Sequence, residues 1–72
     1  MRRFDSKALY KALDEQRASR GMTWTAIAKE IGVSTATITG TKRGGRMEVD
    51  GMLAMVHWLE VPVETFVKDT EY

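Results

Sequence analysis

The most constraining stretch of this chain is residues 23–44, TWTAIAKEIGVSTATITGTKRG, where a glycine separates two segments of helical spacing. Ala28 is small enough for a second helix to cross close to it. Gly32 lacks a Cβ and can end the first helix in the left-handed region. Ser34 can cap a second helix through its hydroxyl. We therefore expect a short helix, a tight turn and another short helix.

Apolar side chains behind these two helices must hold the second one against the body of the domain. The residues at suitable offsets are Ile27, Ile31, Val33 and Ile38. The small residue, the turn glycine, the cap and these anchors together have the spacing of a DNA-binding helix-turn-helix. The sequence therefore predicts that the helix opening at Ser34 enters a major groove.

Composition limits the other possibilities. The 72 residues make one domain near the lower size limit for a self-supporting core, so a dimer contact would help stability. The absence of Cys excludes disulfides and thiolate metal sites. No apolar run of signal or membrane length follows the basic start, so we expect a soluble, cytoplasmic protein with no membrane partner.

The net charge of +1 conceals an asymmetry along the chain. Residues 1–46 carry ten Lys or Arg against four Asp or Glu, whereas residues 47–72 carry one against six. A chain polarised in this way can meet a polyanion with its basic part, which contains the predicted motif. Unrelated charges in solvent are the alternative interpretation.

Three further helices and no strand are predicted around the motif. Asp5 or Ser6 caps a first helix that runs to about residue 20, with residues 1–5 a flexible arm. A fourth helix opens near Glu48 or Asp50, and Pro62 precedes a fifth over residues 63–68, with residues 69–72 a frayed tail. The expected core positions of the fourth helix are Val49, Met52, Leu53, Val56 and Leu59.

Residues 9–66 resemble the lambda-repressor-like helix-turn-helix family of phage and bacterial regulators, which includes the phage Cro and repressor proteins and the XRE-type regulators. The resemblance is carried by Arg17, by the run GMT at residues 21–23, by IAKEIGVSTATI and by LEVPVETF. It implies an all-α, compact five-helix domain, with the helix-turn-helix at helices 2 and 3. Three positions depart from the family pattern: Trp24 opens helix 2, Thr41 replaces an aliphatic anchor, and Lys42 replaces an acidic partner of Arg17.

The resemblance also implies which residues contact DNA. It places Thr35, Ala36 and Thr39 at base-reading positions, with Ser34 and Thr37 nearby. We expect phosphate contacts from a loop over residues 41–47 and from the start of helix 2. The phosphate-contacting residues are then Lys42, Arg43, Arg46, Trp24 and Thr25. For Trp24, a place in the core is the competing interpretation.

A dimer contact is predicted on the fourth helix, because its other positions are assigned to the core. Its members are Met55, His57, Trp58 and Val61. The alternative is that Trp58 folds back onto helix 1 or helix 5.

The residues and the resemblance together predict a transcriptional regulator, most simply a repressor. The resemblance implies that it binds a palindromic operator as a homodimer. A DNA-binding antitoxin with a toxin partner is the alternative within this class. A protein-interaction module on the same scaffold, without DNA binding, is the alternative outside it. His57 is the only histidine and no phosphate loop or metal cluster is visible, so we expect neither an enzyme nor a cofactor.

Overall fold

The computed structural model describes residues 2–44 and 48–69. In chain order the elements are strand β1 (Arg2–Phe4), helices α1 (Ser6–Arg20), α2 (Trp24–Ile31), α3 (Thr35–Arg43) and α4 (Val49–Leu59), a 3₁₀ helix (Val63–Phe66) and strand β2 (Val67–Asp69). In this part of the chain no helix has both the length and the apolarity needed to cross a bilayer.

Short polar side chains cap the starts of α1 and α2, and a glycine ends α1. The Asp5 carboxylate accepts from the Ala8 N–H at 3.0 Å and caps α1. Thr23 caps α2 by accepting from the Ala26 N–H at 3.1 Å. Gly21 ends α1 in the left-handed region. The two capping hydrogen bonds, accepted by Asp5 and Thr23, satisfy N–H groups that would otherwise lack a partner at a helix start.

The core forms where α1 lies against α3 and α4, and its apolar side chains come from four helices and the 3₁₀ helix. The buried apolar residues are Leu9, Leu13, Ile27, Ala28, Ile38, Met55, Val56 and Phe66. Leu9 and Leu13 are fully buried, as their helical spacing predicts. Burial of these side chains supplies most of the stabilisation available to so small a domain.

The mostly helical character is confirmed, but the expectations of five helices and of no strand are wrong. The described residues form four α-helices, and the segment after Pro62 makes only a four-residue 3₁₀ helix. β1 and β2 then pair antiparallel, with Arg2 opposite Asp69 and Phe4 opposite Val67. Strands of three residues are too short to produce a recognisable alternating pattern.

The same pairing corrects the expected arm and tail. Residues 2–4, placed in a flexible arm, are held in β1, and the Asp5 N–H donates to the Phe66 carbonyl at 2.6 Å. The Phe4 and Phe66 rings pack at 6.0 Å between centroids. Of the expected frayed tail, Asp69 belongs to β2, whereas residues 70–72 lie outside the described residues.

Helix α4 is rotated by roughly a quarter turn from its predicted orientation. Val49 and Leu53, expected in the core, are 61% and 48% exposed. Gly51 and Met55 are buried instead. A Cβ at Gly51 would lie 3.3 Å from Cγ2 of Thr37, so the missing side chain lets α3 and α4 approach closely. The orientation therefore follows from contacts with residues distant in sequence, which hydrophobic spacing does not encode.

Candidate nucleic-acid interface

The turn between α2 and α3 has the geometry that its sequence predicts. Gly32 adopts φ 92°, a conformation that a residue with a Cβ rarely takes. The N–H groups of Gly32 and Val33 both donate to the Ala28 carbonyl, at 2.9 and 3.0 Å. Ala28 itself is buried. Of the predicted anchors, Ile27 and Ile38 are buried, and Ile31 and Val33 are half-buried at the edge of the core.

Ser34 fixes the start of α3. Its hydroxyl oxygen accepts from the Thr37 N–H at 3.1 Å and lies 2.9 Å from the Thr37 hydroxyl oxygen. Because this cap uses one N–H of the first turn, the N–H groups of Thr35 and Ala36 remain directed outward at the positive end of the helix dipole. The start of α3 is therefore suited to a negatively charged or hydrogen-bond-accepting partner.

Helix α3 has one face in the core and one in solvent. Ile38 and Thr41 are buried. The exposed side chains of α3 are Thr35, Ala36, Thr39, Lys42 and Arg43. At 3.6 residues per turn these five occupy an arc of about 120°. Lys42 and Arg43 thus lie on the same side of α3 as the three short side chains. We call these five residues the exposed arc of α3, and it is the candidate interface.

The structure brings together most of the predicted base-reading residues. Thr35, Ala36 and Thr39 lie on the exposed arc, and Ser34 is exposed beside it. The Thr39 hydroxyl donates to the Thr35 carbonyl at 3.0 Å, so its oxygen remains free to accept. Thr37 differs from the other four, because it is half-buried and its methyl group faces Gly51. Thr37 therefore serves the α3–α4 contact more than the exposed surface.

Thr41 extends α3 beyond its predicted end. It is fully buried, its hydroxyl donates to the Thr37 carbonyl at 3.1 Å, and its oxygen lies 3.8 Å from Sδ of Met55. The polar group is thereby satisfied inside the helix. Lys42 and Arg43 consequently lie in the last turn of α3, and their expected place in a flexible loop is wrong. Arg46 lies outside the described residues.

Tyr10 connects the cations of α1 and α3 through an aromatic pair. Its ring stacks on Trp24, with centroids 5.0 Å apart and planes inclined by 19°. The Arg17 guanidinium lies 5.0 Å from the Trp24 ring, and the Lys42 ammonium lies 5.9 Å from the Tyr10 ring. Such cation–aromatic contacts are attractive. Arg17, which lacks an acidic partner at position 42, bonds to Asp14 at 2.8 Å.

The stacking of Tyr10 on Trp24 was not predicted from the sequence, and it affects the predicted phosphate contact at Trp24. Trp24, predicted to contact phosphate, is half-buried against Tyr10 and Arg17, whereas Thr25 beside it is exposed. The available signal was the spacing of Tyr10 and Arg17, seven residues apart and so on one face of α1. That spacing does not reveal that Trp24 lies between them.

The predicted dimer contact is not a single surface. Met55 is fully buried, which corrects its expected outward position, and Val61 is half-buried against the core. His57 is exposed. The Trp58 indole N–H donates to the Glu30 carboxylate at 2.9 Å, and the Arg20 guanidinium lies 4.7 Å from the indole ring. Trp58 therefore joins α4 to α2 and α1. This agrees with the alternative prediction that it folds back onto helix 1, with an additional contact to helix 2.

Comparisons with family models, curated proteins and solved structures find no match for this chain.

Proposed function

We propose that this chain is a sequence-specific transcriptional regulator that places α3 in the major groove of double-stranded DNA. The observation that carries the proposal is the exposed arc of α3, where small side chains at the start of the helix are followed by Lys42 and Arg43. A groove admits one helix with its N-terminal residues toward the base edges. The resemblance to lambda-repressor-like domains supports the same orientation.

Base reading in this proposal depends on short side chains. Thr35, Ala36 and Thr39 offer methyl groups for thymine and hydroxyl oxygens for bases or bridging water. None can make the bidentate contact of Arg or Gln, which discriminates by about 1–3 kcal/mol. DNA shape and deformability then supply more of the specificity than direct contacts do.

Phosphate contacts come from the ends of the two helices. Lys42 and Arg43 are exposed at the C-terminal turn of α3, and Thr25 is exposed in the first turn of α2. The start of α2 adds backbone N–H groups and a positive helix dipole. The Tyr10 ring lies 5.9 Å from the Lys42 ammonium, an attractive contact that favours a position of this cation beside the exposed arc.

We further propose that two copies act together in the cytoplasm, as a repressor on a palindromic operator. One exposed arc of five residues can read only a few base pairs, so a second copy is needed to select a site among genomic competitors. The net charge of residues 1–46 favours DNA, whereas that of residues 47–72 limits non-specific association.

Selection of bound sites from random duplexes tests this proposal. We expect an enriched sequence with two inverted half-sites about one helical turn, roughly 34 Å, apart. Enrichment of single half-sites would contradict the dimer but not DNA reading. Recovery of unenriched duplexes would contradict sequence-specific binding.

The exposed apolar pair Val49 and Leu53 favours a second candidate function, a protein-interaction module. A chain of this kind would remain unbound in the duplex selection yet bind a protein partner. An antitoxin would both bind DNA and co-purify with its toxin. The two observations together would distinguish it from a repressor, which has no toxin partner, and from an interaction module, which does not bind DNA.

A further inference from the structure

Helix α4 has an outward face that no described element covers. Val49 and Leu53 are the large apolar side chains exposed in residues 2–44 and 48–69, and they lie one helical turn apart. Exposed His57 follows Leu53 by one further turn, and exposed Asp50 and Glu60 flank the line. We call Val49, Leu53 and His57, with their acidic neighbours Glu48, Asp50 and Glu60, the outer α4 face.

This face lies on the opposite side of the molecule from the exposed arc of α3. The two helices touch through Gly51 and Met55 of α4 and through Thr37 and Thr41 of α3. Leu53 projects about 160–200° around α4 from Gly51 and Met55, and Thr39 projects about 160–200° around α3 from Thr37 and Thr41. The two surfaces therefore face away from each other along the line that joins the helix axes.

Charge identifies the kind of occupant. Three carboxylates, those of Glu48, Asp50 and Glu60, surround the apolar pair, and α4 itself contains neither Lys nor Arg. A second copy related by two-fold symmetry would bring two such acidic rims together, which is unfavourable. It would also direct the two α3 arcs away from each other, so that they could not share one straight duplex.

We propose that the outer α4 face binds a short amphipathic segment of a partner protein, in which aliphatic side chains are flanked by Lys or Arg. The aliphatic side chains pack on Val49 and Leu53, and the cations meet the carboxylates around them. The contact is small, two apolar residues wide, and so suits a transient rather than a permanent complex. Because it faces away from α3, it is compatible with simultaneous occupation of DNA by that helix.

Two synthetic helical peptides test the proposal: one with a Leu pair four residues apart and flanking Lys, the other identical except for Glu in place of Lys. Binding is followed through the amide resonances of the ¹⁵N-labelled protein. We expect the Lys peptide to shift resonances of the outer α4 face saturably and the Glu peptide to leave them unchanged. Leu53→Ser should weaken Lys-peptide binding about tenfold or more. Asp50→Lys should also weaken it.

Arg43→Ala is the matched control, since it removes an exposed side chain from the other side of the molecule. It should preserve peptide binding and weaken DNA binding, whereas Leu53→Ser should do the reverse. Equal binding of both peptides, or binding indifferent to Leu53→Ser, would overturn the proposal. So would concentration-dependent shifts of the same resonances without peptide, since they would assign this face to a second copy. Loss of DNA binding in Leu53→Ser as well would contradict the independence of the two faces. A parent protein that binds the Lys peptide but no DNA would count against the proposed DNA function alone.

Discussion

The Trp24 indole lies nearly parallel to the Tyr10 ring, 5.0 Å between centroids, and this pair joins the start of α2 to the middle of α1. Arg17 contacts the tryptophan and Lys42 the tyrosine. Each of these cations therefore lies against one ring of the pair. The aromatic contacts hold α1, α2 and the end of α3 in one arrangement, and that arrangement sets the position of Lys42.

Tyr10→Ala should lower the free energy of unfolding. Loss of the half-buried ring removes apolar burial and a stacked pair, which we expect to cost about 2 kcal/mol in the free energy of unfolding. Tyr10→Phe keeps the ring and should stay within about 0.5 kcal/mol of the parent. Urea unfolding measures both changes. A Tyr10→Ala protein as stable as Tyr10→Phe would show that the stack does not hold the helices together.

Gly32 and Gly40 offer a matched pair for one substitution. A Cβ at either position would meet nothing within 4 Å, but Gly32 has φ 92° whereas Gly40 lies inside α3. Gly40→Ala should stabilise the protein by about 0.5–1 kcal/mol. Gly32→Ala should destabilise it by about 1 kcal/mol or more, because alanine is strained in that conformation. Thermal unfolding distinguishes them, and a shift of the same sign in both would contradict the turn geometry.

The local features of the fold could be predicted from the sequence, and the non-local ones could not. Ser34 as a cap and Gly32 as a turn depend on residues a few positions away, so their spacing is sufficient. The rotation of α4 depends on its packing against α1 and α2 and on the contact of Gly51 with Thr37, all of them far from it in sequence. The pairing of β1 with β2 joins the first and last described segments. No local pattern specifies either contact.

The candidate interface shows the same division. Exposure of Thr35, Ala36 and Thr39 follows from the helical period of α3 and agrees with prediction. The helical state of Lys42 and Arg43 does not, since it depends on burial of Thr41 in the core, where the Thr37 carbonyl satisfies its hydroxyl. Thr41 is polar at a position where the resemblance implies an aliphatic residue, and its hydroxyl is satisfied inside the helix.

Thr41 allows a test of which part of its side chain maintains the end of α3. Thr41→Ser keeps the hydroxyl but loses a fully buried methyl group, and should cost about 1 kcal/mol in the free energy of unfolding. Thr41→Val keeps the shape and loses the hydroxyl, and should change stability by less than about 1 kcal/mol. Urea unfolding of both variants measures the difference. If Thr41→Val were much the less stable, the hydrogen bond rather than packing would hold the helix end.

Trp58→Phe should destabilise the monomer without altering its association state. The substitution removes the indole donor to Glu30 but keeps an aromatic ring near Arg20, and we expect a cost of about 0.5–1.5 kcal/mol. Sedimentation velocity with and without operator DNA tests the second part. A protein that associates in its parent form and fails to do so as Trp58→Phe would place the two-fold contact at Trp58 after all.

Phosphate contacts and base contacts can be distinguished by substitutions at Lys42, Arg43 and Thr35. Arg43→Ala or Lys42→Ala should weaken binding to every sequence and reduce the salt dependence by about one unit per lost phosphate contact. Thr35→Ala should leave the salt dependence unchanged and alter base preference at one position. Affinities on the selected operator and on a scrambled duplex provide both readings. Identical behaviour of the two kinds of variant would contradict these roles.

The measurement that tests the central claim most directly is the affinity for the selected operator as a function of salt concentration. A dimer that makes about six to eight phosphate contacts should show log affinity falling against log salt with a slope of roughly −5 to −7. A scrambled duplex should bind more weakly at every salt concentration. An affinity independent of salt, or equal for the two duplexes, would contradict the placement of α3 in a major groove.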